Sequence, residues 1–134
     1  QDNHAEDYIH FCGYQHDLTK VYETAQIGVL TSSYEGFAMA LLEAQGHGCP
    51  AVSYDINYGP AEIIKDQFSG RLLPEGALHT LYTVLDELLS NPATLESYAD
   101  HAQEVAAKYS FENVAAQWKN FVTTDKDVQR VLAD

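Results

Sequence analysis

Glu35 and Glu43 are the residues of this chain whose type and spacing point most directly to chemistry. Between them stand seven residues, Gly36-Phe37-Ala38-Met39-Ala40-Leu41-Leu42, with no charge and, after Gly36, no helix breaker. This composition predicts a helix from near Phe37 to Gly48, with Gly46 and Gly48 as stop signals and Pro50 barring continuation. Glu35 then precedes the first turn, and Glu43, at about 1.5 Å per residue, lies roughly one and a half turns inside. The amides of Gly36 to Met39 point out of the helix start, where about half a positive charge gathers and where Gly36 lets a phosphate approach the backbone. Ionised carboxylates accept hydrogen bonds, so sugar hydroxyls are their natural partners. A pyrophosphate on the amides, with a sugar at each end for the two glutamates, satisfies every part. On the residues alone a second reading stays open: Glu35 stabilises the helix end by its charge, and Glu43 is a solvated residue on the outer face.

The elements that must position this pair alternate. Gly28-Val29-Leu30-Thr31-Ser32 reads as a strand feeding the turn Ser33-Tyr34-Glu35-Gly36, and strand, tight turn, helix is where an open α/β sheet binds ligands. Upstream, Tyr8-Ile9-His10-Phe11 reads as a short strand closed by Cys12-Gly13. Asp17 to Ala25 reads as an amphipathic helix with Leu18, Val21, Tyr22 and Ala25 on one face. Pro50 to Tyr54 suits a buried parallel strand, Pro60 opens a helix through Ile64, and Ser69-Gly70 turns into a fourth strand, Arg71-Leu72-Leu73. The pattern predicts an α/β fold: a parallel, Rossmann-like sheet of about four strands with helices on both faces. Beyond Pro74 only helices are expected. They run from about Ala77 to Leu89, from Asn91-Pro92 through Lys108, and after a Ser110 cap through Val114, Trp118, Phe121 and Val122. The chain thus divides into an α/β part (1–74), a helical extension (75–123) and a tail (124–134) expected to fray.

A chain of 134 residues fits one compact domain, which at this size buries about two-thirds of its unfolded surface. Seven basic against twenty acidic residues give a net charge of −13, the reverse of a nucleic-acid or anionic-membrane footprint. No stretch is long and apolar enough to span a bilayer, and the N-terminus lacks a basic and apolar signal arrangement, so a cytoplasmic setting is expected. Cys12 and Cys49 sit beside predicted strands, which favours buried free thiols over a disulfide. A chain that opens with Gln1, its one methionine being Met39, is expected to be a processed product or a piece of a larger protein.

The segment Tyr34-Glu35-Gly36-Phe37-Ala38-Met39-Ala40-Leu41-Leu42-Glu43-Ala44, followed by Gly48-Cys49-Pro50-Ala51-Val52, resembles the Glu, seven residues, Glu signature of retaining glycosyltransferase family 4. The likeness continues through Ser53-Tyr54-Asp55-Ile56-Asn57-Tyr58-Gly59-Pro60 to Gly70-Arg71-Leu72-Leu73. Its wording is most similar to poly(glycerol-phosphate) alpha-glucosyltransferases of wall teichoic acid synthesis and to glycosyltransferases that modify serine-rich adhesins. The resemblance implies the latter part of the C-terminal domain of a GT-B enzyme, with the N-terminal domain and the family's Arg-Lys donor-phosphate motif lying upstream of Gln1. Lys20, Lys65 and Arg71 stand in different elements and offer no substitute.

By the same resemblance, Glu43 meets the ribose hydroxyls of a UDP-sugar and Glu35 the transferred sugar, as the catalytic-site carboxylate. The amides of Gly36, Phe37, Ala38 and Met39 hold sugar and diphosphate, and Tyr14 approaches the base. No metal or other cofactor is implied. The expected partners are a UDP-sugar, UDP-glucose ahead of UDP-N-acetylglucosamine, and a glycan, polyol-phosphate or polypeptide acceptor. An acidic surface repels a polyanionic acceptor, so the acceptor groove is expected outside these residues, and any contact with the membrane is expected through the N-terminal domain. The isolated fragment is expected to be inactive. A different class also remains open, a non-catalytic GT-B-like subunit binding a glycan or nucleotide.

Other constellations carry less. His10, Cys12 and His16, or His47 with Cys49, lack four-ligand metal spacing. Asp55 at a strand end resembles the phosphorylated aspartate of a receiver domain, but the acidic pair and late lysine of such a domain are missing. Asn57, Tyr58 and Gly59 lie on the ligand side of a strand-to-helix loop, bordering a ligand or simply forming a turn. Trp118 reads equally as a core residue or, through the resemblance, as a docking residue for the other domain.

Overall fold

The run Ala51-Val52-Ser53-Tyr54 is buried at every position, which a strand achieves only when both faces of its sheet are covered. In the computed structural model, which describes residues 5–124 and Arg130, this run belongs to β2 (Ala51–Asp55). It is flanked in parallel by β1 (Gly28–Leu30) and β3 (Gly70–Pro74), in the order β1-β2-β3. Because side chains alternate along a strand, β2 serves two cores. Ala51 packs with Ala38, Leu41, Ile63 and Ile64 beneath α2 (Met39–Gly46) and α3 (Pro60–Ile63). Val52 and Tyr54 pack on the other face with Leu73 and with Leu81, Val84 and Leu88 of α4 (Leu78–Leu89). Helices therefore cover both faces, as the alternating pattern predicts.

α2 is held at its far end by two devices. Gly48 takes φ +74° while Cys49 N–H donates to Ala44 O (2.9 Å) and Gly48 N–H to Gln45 O (3.0 Å), the paired closure that needs a left-handed residue after the helix. Gln45 is fully buried and donates through Nε2 to Ser69 O (3.1 Å) and Oγ (3.3 Å), tying α2 to the turn before β3. The chain continues through α5 (Pro92–Ala107), which packs on α2 and α4, and α6 (Phe111–Thr124), where Ser110 Oγ accepts from Asn113 N–H (3.3 Å).

Tyr8-Ile9-His10-Phe11 departs from expectation. It is not a strand, and Tyr8 and Phe11 stand 83% and 96% exposed after a single 3-10 turn at Ala5–Asp7. An apolar run becomes a strand only beside a partner. Among the described residues nothing pairs with this segment, and the outer edge of β1 is left without a partner strand. The sheet accordingly has three described strands. Cys12 follows this segment and is exposed, whereas Cys49 is buried, with burial pushing its thiol pKa up. The helix before β1, α1 (Thr19–Thr24), is shorter than expected and opens with Asp17 Oδ1 accepting from Thr19 N–H (2.9 Å).

Trp118 is 64% exposed and no residue of α6 is buried, so the core reading of this tryptophan fails. With Val114, Gln117 and Phe121 it lines an open apolar depression of about 370 Å³. Thr123 and Thr124 complete α6; the rest of the expected tail, apart from Arg130, lies outside the described residues.

Candidate functional site

The helix after β1 begins two residues later than the sequence predicts. Ala38 adopts a left-handed conformation (φ 57°, ψ 50°) as the N-cap of α2, with no side-chain cap, and helical geometry starts at Met39. An L-residue in this region costs about 1–2 kcal/mol, and neighbouring structure over-determines it. The Ala38 methyl is buried with Leu41, Ile63 and Ile64. From the other side Gly59, at φ +97°, presses its backbone on the turn: a Cβ there would stand 2.9 Å from the Phe37 carbonyl carbon and 3.2 Å from Ala38 N. The sequence offered Gly59 as bordering a ligand or forming a turn, not as a support for the start of α2, and the Gly59-Pro60 pair opening α3 was the available signal.

The consequence is a row of free donors. Among the described residues, no protein acceptor meets the amides of Gly36, Phe37, Ala38, Met39 or Ala40. Leu41 N–H is the first to find a carbonyl, that of Ala38 at 2.9 Å. Gly36, Phe37, Met39 and Ala40 are exposed and Ala38 is buried, and the row lies at the positive end of α2. The Phe37 ring meets Tyr109 edge-on at 5.4 Å, and the Tyr109 hydroxyl donates to Glu62 O at 2.8 Å, so the corner between α5 and α6 braces this turn. Burial, with the Glu62 charge second, holds the Tyr109 phenol above its ordinary pKa and so protonated. Nothing in the local sequence signalled that role, which depends on a contact spanning 47 residues.

The two glutamates flank the row in different surroundings. Glu35, half-buried, lines a polar cleft of about 130 Å³ with Ser33, Tyr34, Asp55, Ile56, Asn57, Tyr58 and Glu75. These residues follow β1, β2 and β3, so the cleft sits at the carboxyl ends of all three strands, the ligand side of such a sheet. Three carboxylates converge there. That lining accepts hydrogen bonds from hydroxyls and repels anions. Asn57 and Tyr58, which the sequence placed on the ligand side, are thus brought to Glu35, and Asp55 and Glu75 are additions.

Glu43 is the fifth residue of α2, just over one turn inside and closer to the helix start than predicted, and it is exposed. Its neighbour is Tyr22 of α1. The Tyr22 ring stacks on that of His47 (centroids 5.9 Å apart, planes at 17°), four residues on from Glu43. Burial first, then the charge of Glu43, raises the Tyr22 pKa. Tyr14 is not gathered into this constellation: it is 84% exposed and its ring neighbour is His16, at 5.0 Å.

Chemically, the arrangement offers unpaired amides for an anion, with an acidic cleft on one side and an exposed carboxylate on the other. Residues 1–105 match the family of glycosyl transferases group 1. Among curated relatives, an exopolysaccharide phosphotransferase of Streptomyces coelicolor is 33% identical over 87% of the chain and 12% of its own length. The GtfA subunit of a UDP-N-acetylglucosamine–peptide N-acetylglucosaminyltransferase from Limosilactobacillus reuteri is 33% identical over 90% of the chain and 24% of its own length. A poly(glycerol-phosphate) alpha-glucosyltransferase of Bacillus subtilis is 26% identical over 88% of the chain and 18% of its own length. The structure of a TarM mutant of S. aureus with fondaparinux, alpha-GlcNAc-glycerol and UDP superposes with a TM-score of 0.81 at 29% identity, covering 89% of this chain and 24% of that one. The chain therefore spans between an eighth and a quarter of the length of these proteins.

Proposed function

The chain belongs to the glycosyl transferases group 1 family, and we propose that within it these residues form the nucleotide-sugar-binding part of a retaining, metal-independent transferase. The observation that carries this reading is the row of unpaired amides from Gly36 to Ala40, opened by left-handed Ala38 and flanked by Glu35 and Glu43. Five donors at a helix start suit a diphosphate. In this reading Glu43 accepts from the ribose hydroxyls and Glu35 from hydroxyls of the transferred sugar, while Tyr14, exposed and apart from them, is given no role. The acidic lining of the Glu35 cleft favours an uncharged hexose, and UDP-glucose comes ahead of UDP-N-acetylglucosamine.

The chemical task is to stabilise the departing diphosphate while the sugar leaves it. Amides fixed in place before the reaction do this electrostatically, and no proton needs to move to them. Glu35 orients the sugar against its acceptor. The likeness to the Bacillus subtilis enzyme supports a poly(glycerol phosphate) acceptor. The likeness to the GtfA subunit supports a second reading, N-acetylglucosamine transfer to a polypeptide.

The test measures UDP release by the full-length protein that carries this chain, supplied with UDP-glucose, with and without poly(glycerol phosphate). Acceptor-stimulated release that Glu43→Ala weakens is the expected result. Losing a hydrogen-bonding charge costs about 1.5–3 kcal/mol, so donor affinity falls roughly 10- to 150-fold. Release seen only with UDP-N-acetylglucosamine and a polypeptide acceptor would favour the second reading, and release with neither would leave a nucleotide- or glycan-binding subunit.

A further inference from the structure

α5 runs back along α2 from its end to its start. A Cβ on Gly48 would stand 3.1 Å from Gln103 Nε2, and one on Gly46 would stand 4.0 Å from the Ala106 methyl. Three residues on, just past the end of α5, Tyr109 meets Phe37 ahead of the first turn of α2. The corner that carries Tyr109 is fastened to α5 by its own backbone. Tyr109 N–H donates to Ala106 O (2.9 Å), and Ser110 N–H and Asn113 Nδ2 both donate to Ala107 O (3.1 and 2.7 Å). Tyr109 is thus a fixed point beside the unpaired amides.

Its side chain joins two elements. The ring lies edge-on to Phe37, with centroids 5.4 Å apart and planes at 66°, while the hydroxyl donates to Glu62 O of α3 at 2.8 Å. α3 opens at Pro60, directly after the Gly59 whose backbone presses on the Phe37–Ala38 peptide. Phe37 is 37% exposed, and its amide belongs to the row without protein acceptors. A turn that lacks hydrogen bonds of its own must be ordered by tertiary contacts or by its ligand, and in the second case the ordering entropy is taken from affinity.

Resting on the diphosphate reading given above, we propose that Tyr109 is a positioning residue for the diphosphate: by clamping the Phe37 ring to α3 it holds the amides of Gly36 to Ala40 in the geometry that receives the ligand. It acts on the ligand only through the backbone of that turn. The contact links the joint between α5 and α6 to the strength of donor binding.

The experiment measures dissociation constants of UDP and of uridine for the full-length protein, for Tyr109→Phe, for Tyr109→Leu and for Val84→Ala. Tyr109→Phe keeps the ring on Phe37 and loses the bond to Glu62 O; Tyr109→Leu loses both. UDP affinity should fall about 3-fold in the first and about 10-fold in the second, while uridine, which lacks the diphosphate, binds each as it binds the wild type. Val84, buried on the other face of the sheet with Leu81 and Leu88, serves as the control. Val84→Ala lowers stability away from the turn and should leave the UDP-to-uridine ratio unchanged. UDP and uridine weakened by the same factor in the Tyr109 variants would make Tyr109 a structural residue and overturn the proposal, as would a ratio that Val84→Ala lowers equally. Should Tyr109→Leu not fold, Tyr109→Phe decides, and an unchanged ratio there overturns the proposal. A wild-type protein that binds UDP no more tightly than uridine would remove the diphosphate reading itself, and Tyr109 would fall with it. A wild-type preference for UDP that survives both Tyr109 substitutions defeats the Tyr109 proposal alone.

Discussion

The N-terminus of α5 and the N-terminus of α2 face the same problem, backbone donors without acceptors, and resolve it in opposite ways. α5 is closed from within: Asn91 Oδ1 accepts from Thr94 N–H at 3.2 Å, and Pro92 at the first position removes a donor. α2 begins at Ala38, which has no side chain able to cap and holds a left-handed conformation. Its donors remain without protein acceptors, and Gly59 and the buried Ala38 methyl hold the turn from both sides. α4 also starts at an uncapped alanine, Ala77, but at an ordinary φ of −75°. What sets the start of α2 apart is the left-handed residue and the second loop packed against it, and on that difference rests the proposal that a ligand completes it.

The largest test of that contrast removes the support. Gly59→Ala puts a methyl group against the Phe37–Ala38 peptide at a positive φ, which should cost about 3 kcal/mol of stability. Denaturant unfolding together with UDP titration should show both a lower midpoint and weakened binding; wild-type behaviour in both would mean that Gly59 does not hold the turn. Glu35→Gln keeps the shape of the cleft and removes one charge, so turnover should fall about 10-fold or more, with the Michaelis constant for the donor changing by less than about 2-fold. A donor constant that rises in step with lost turnover would make Glu35 a general binding residue. The smallest effect belongs to the closed end. Asn91→Ala should cost about 1 kcal/mol, seen as a small drop in melting temperature, while UDP affinity is unchanged. Weakened UDP binding there would break the division between the two helix starts.

How far these ends were legible in sequence follows the range of the interactions involved. Asn91-Pro92 and Ser110 announce their helices through local chemistry, and α5 and α6 begin where those residues predict. The β1-turn-α2 unit was equally readable, because Gly28 to Leu30, Glu35-Gly36 and the uncharged run to Leu42 carry period and punctuation in one stretch. The start of α2 was misplaced because alanine gives no local sign of a left-handed conformation, which here is imposed by Gly59, 21 residues downstream. The strand expected at Tyr8 to Phe11 failed for a related reason: its residues have the right character, but a strand also needs a neighbour. Tyr22 was read as one member of a helix face with Leu18, Val21 and Ala25, and its stack on His47 emerges only when α1 and α2 are brought together. Trp118 could be weighed but not placed from its type alone, since an apolar stripe on a helix does not say what will cover it.

The central claim, that the open start of α2 receives a diphosphate, is tested most directly by hydrogen–deuterium exchange of the full-length protein, read over residues 36–40 with saturating UDP and with uridine. UDP should slow exchange at these amides and uridine, which lacks the diphosphate, should not. Bound UDP that leaves residues 36–40 exchanging as in the free protein would contradict the account.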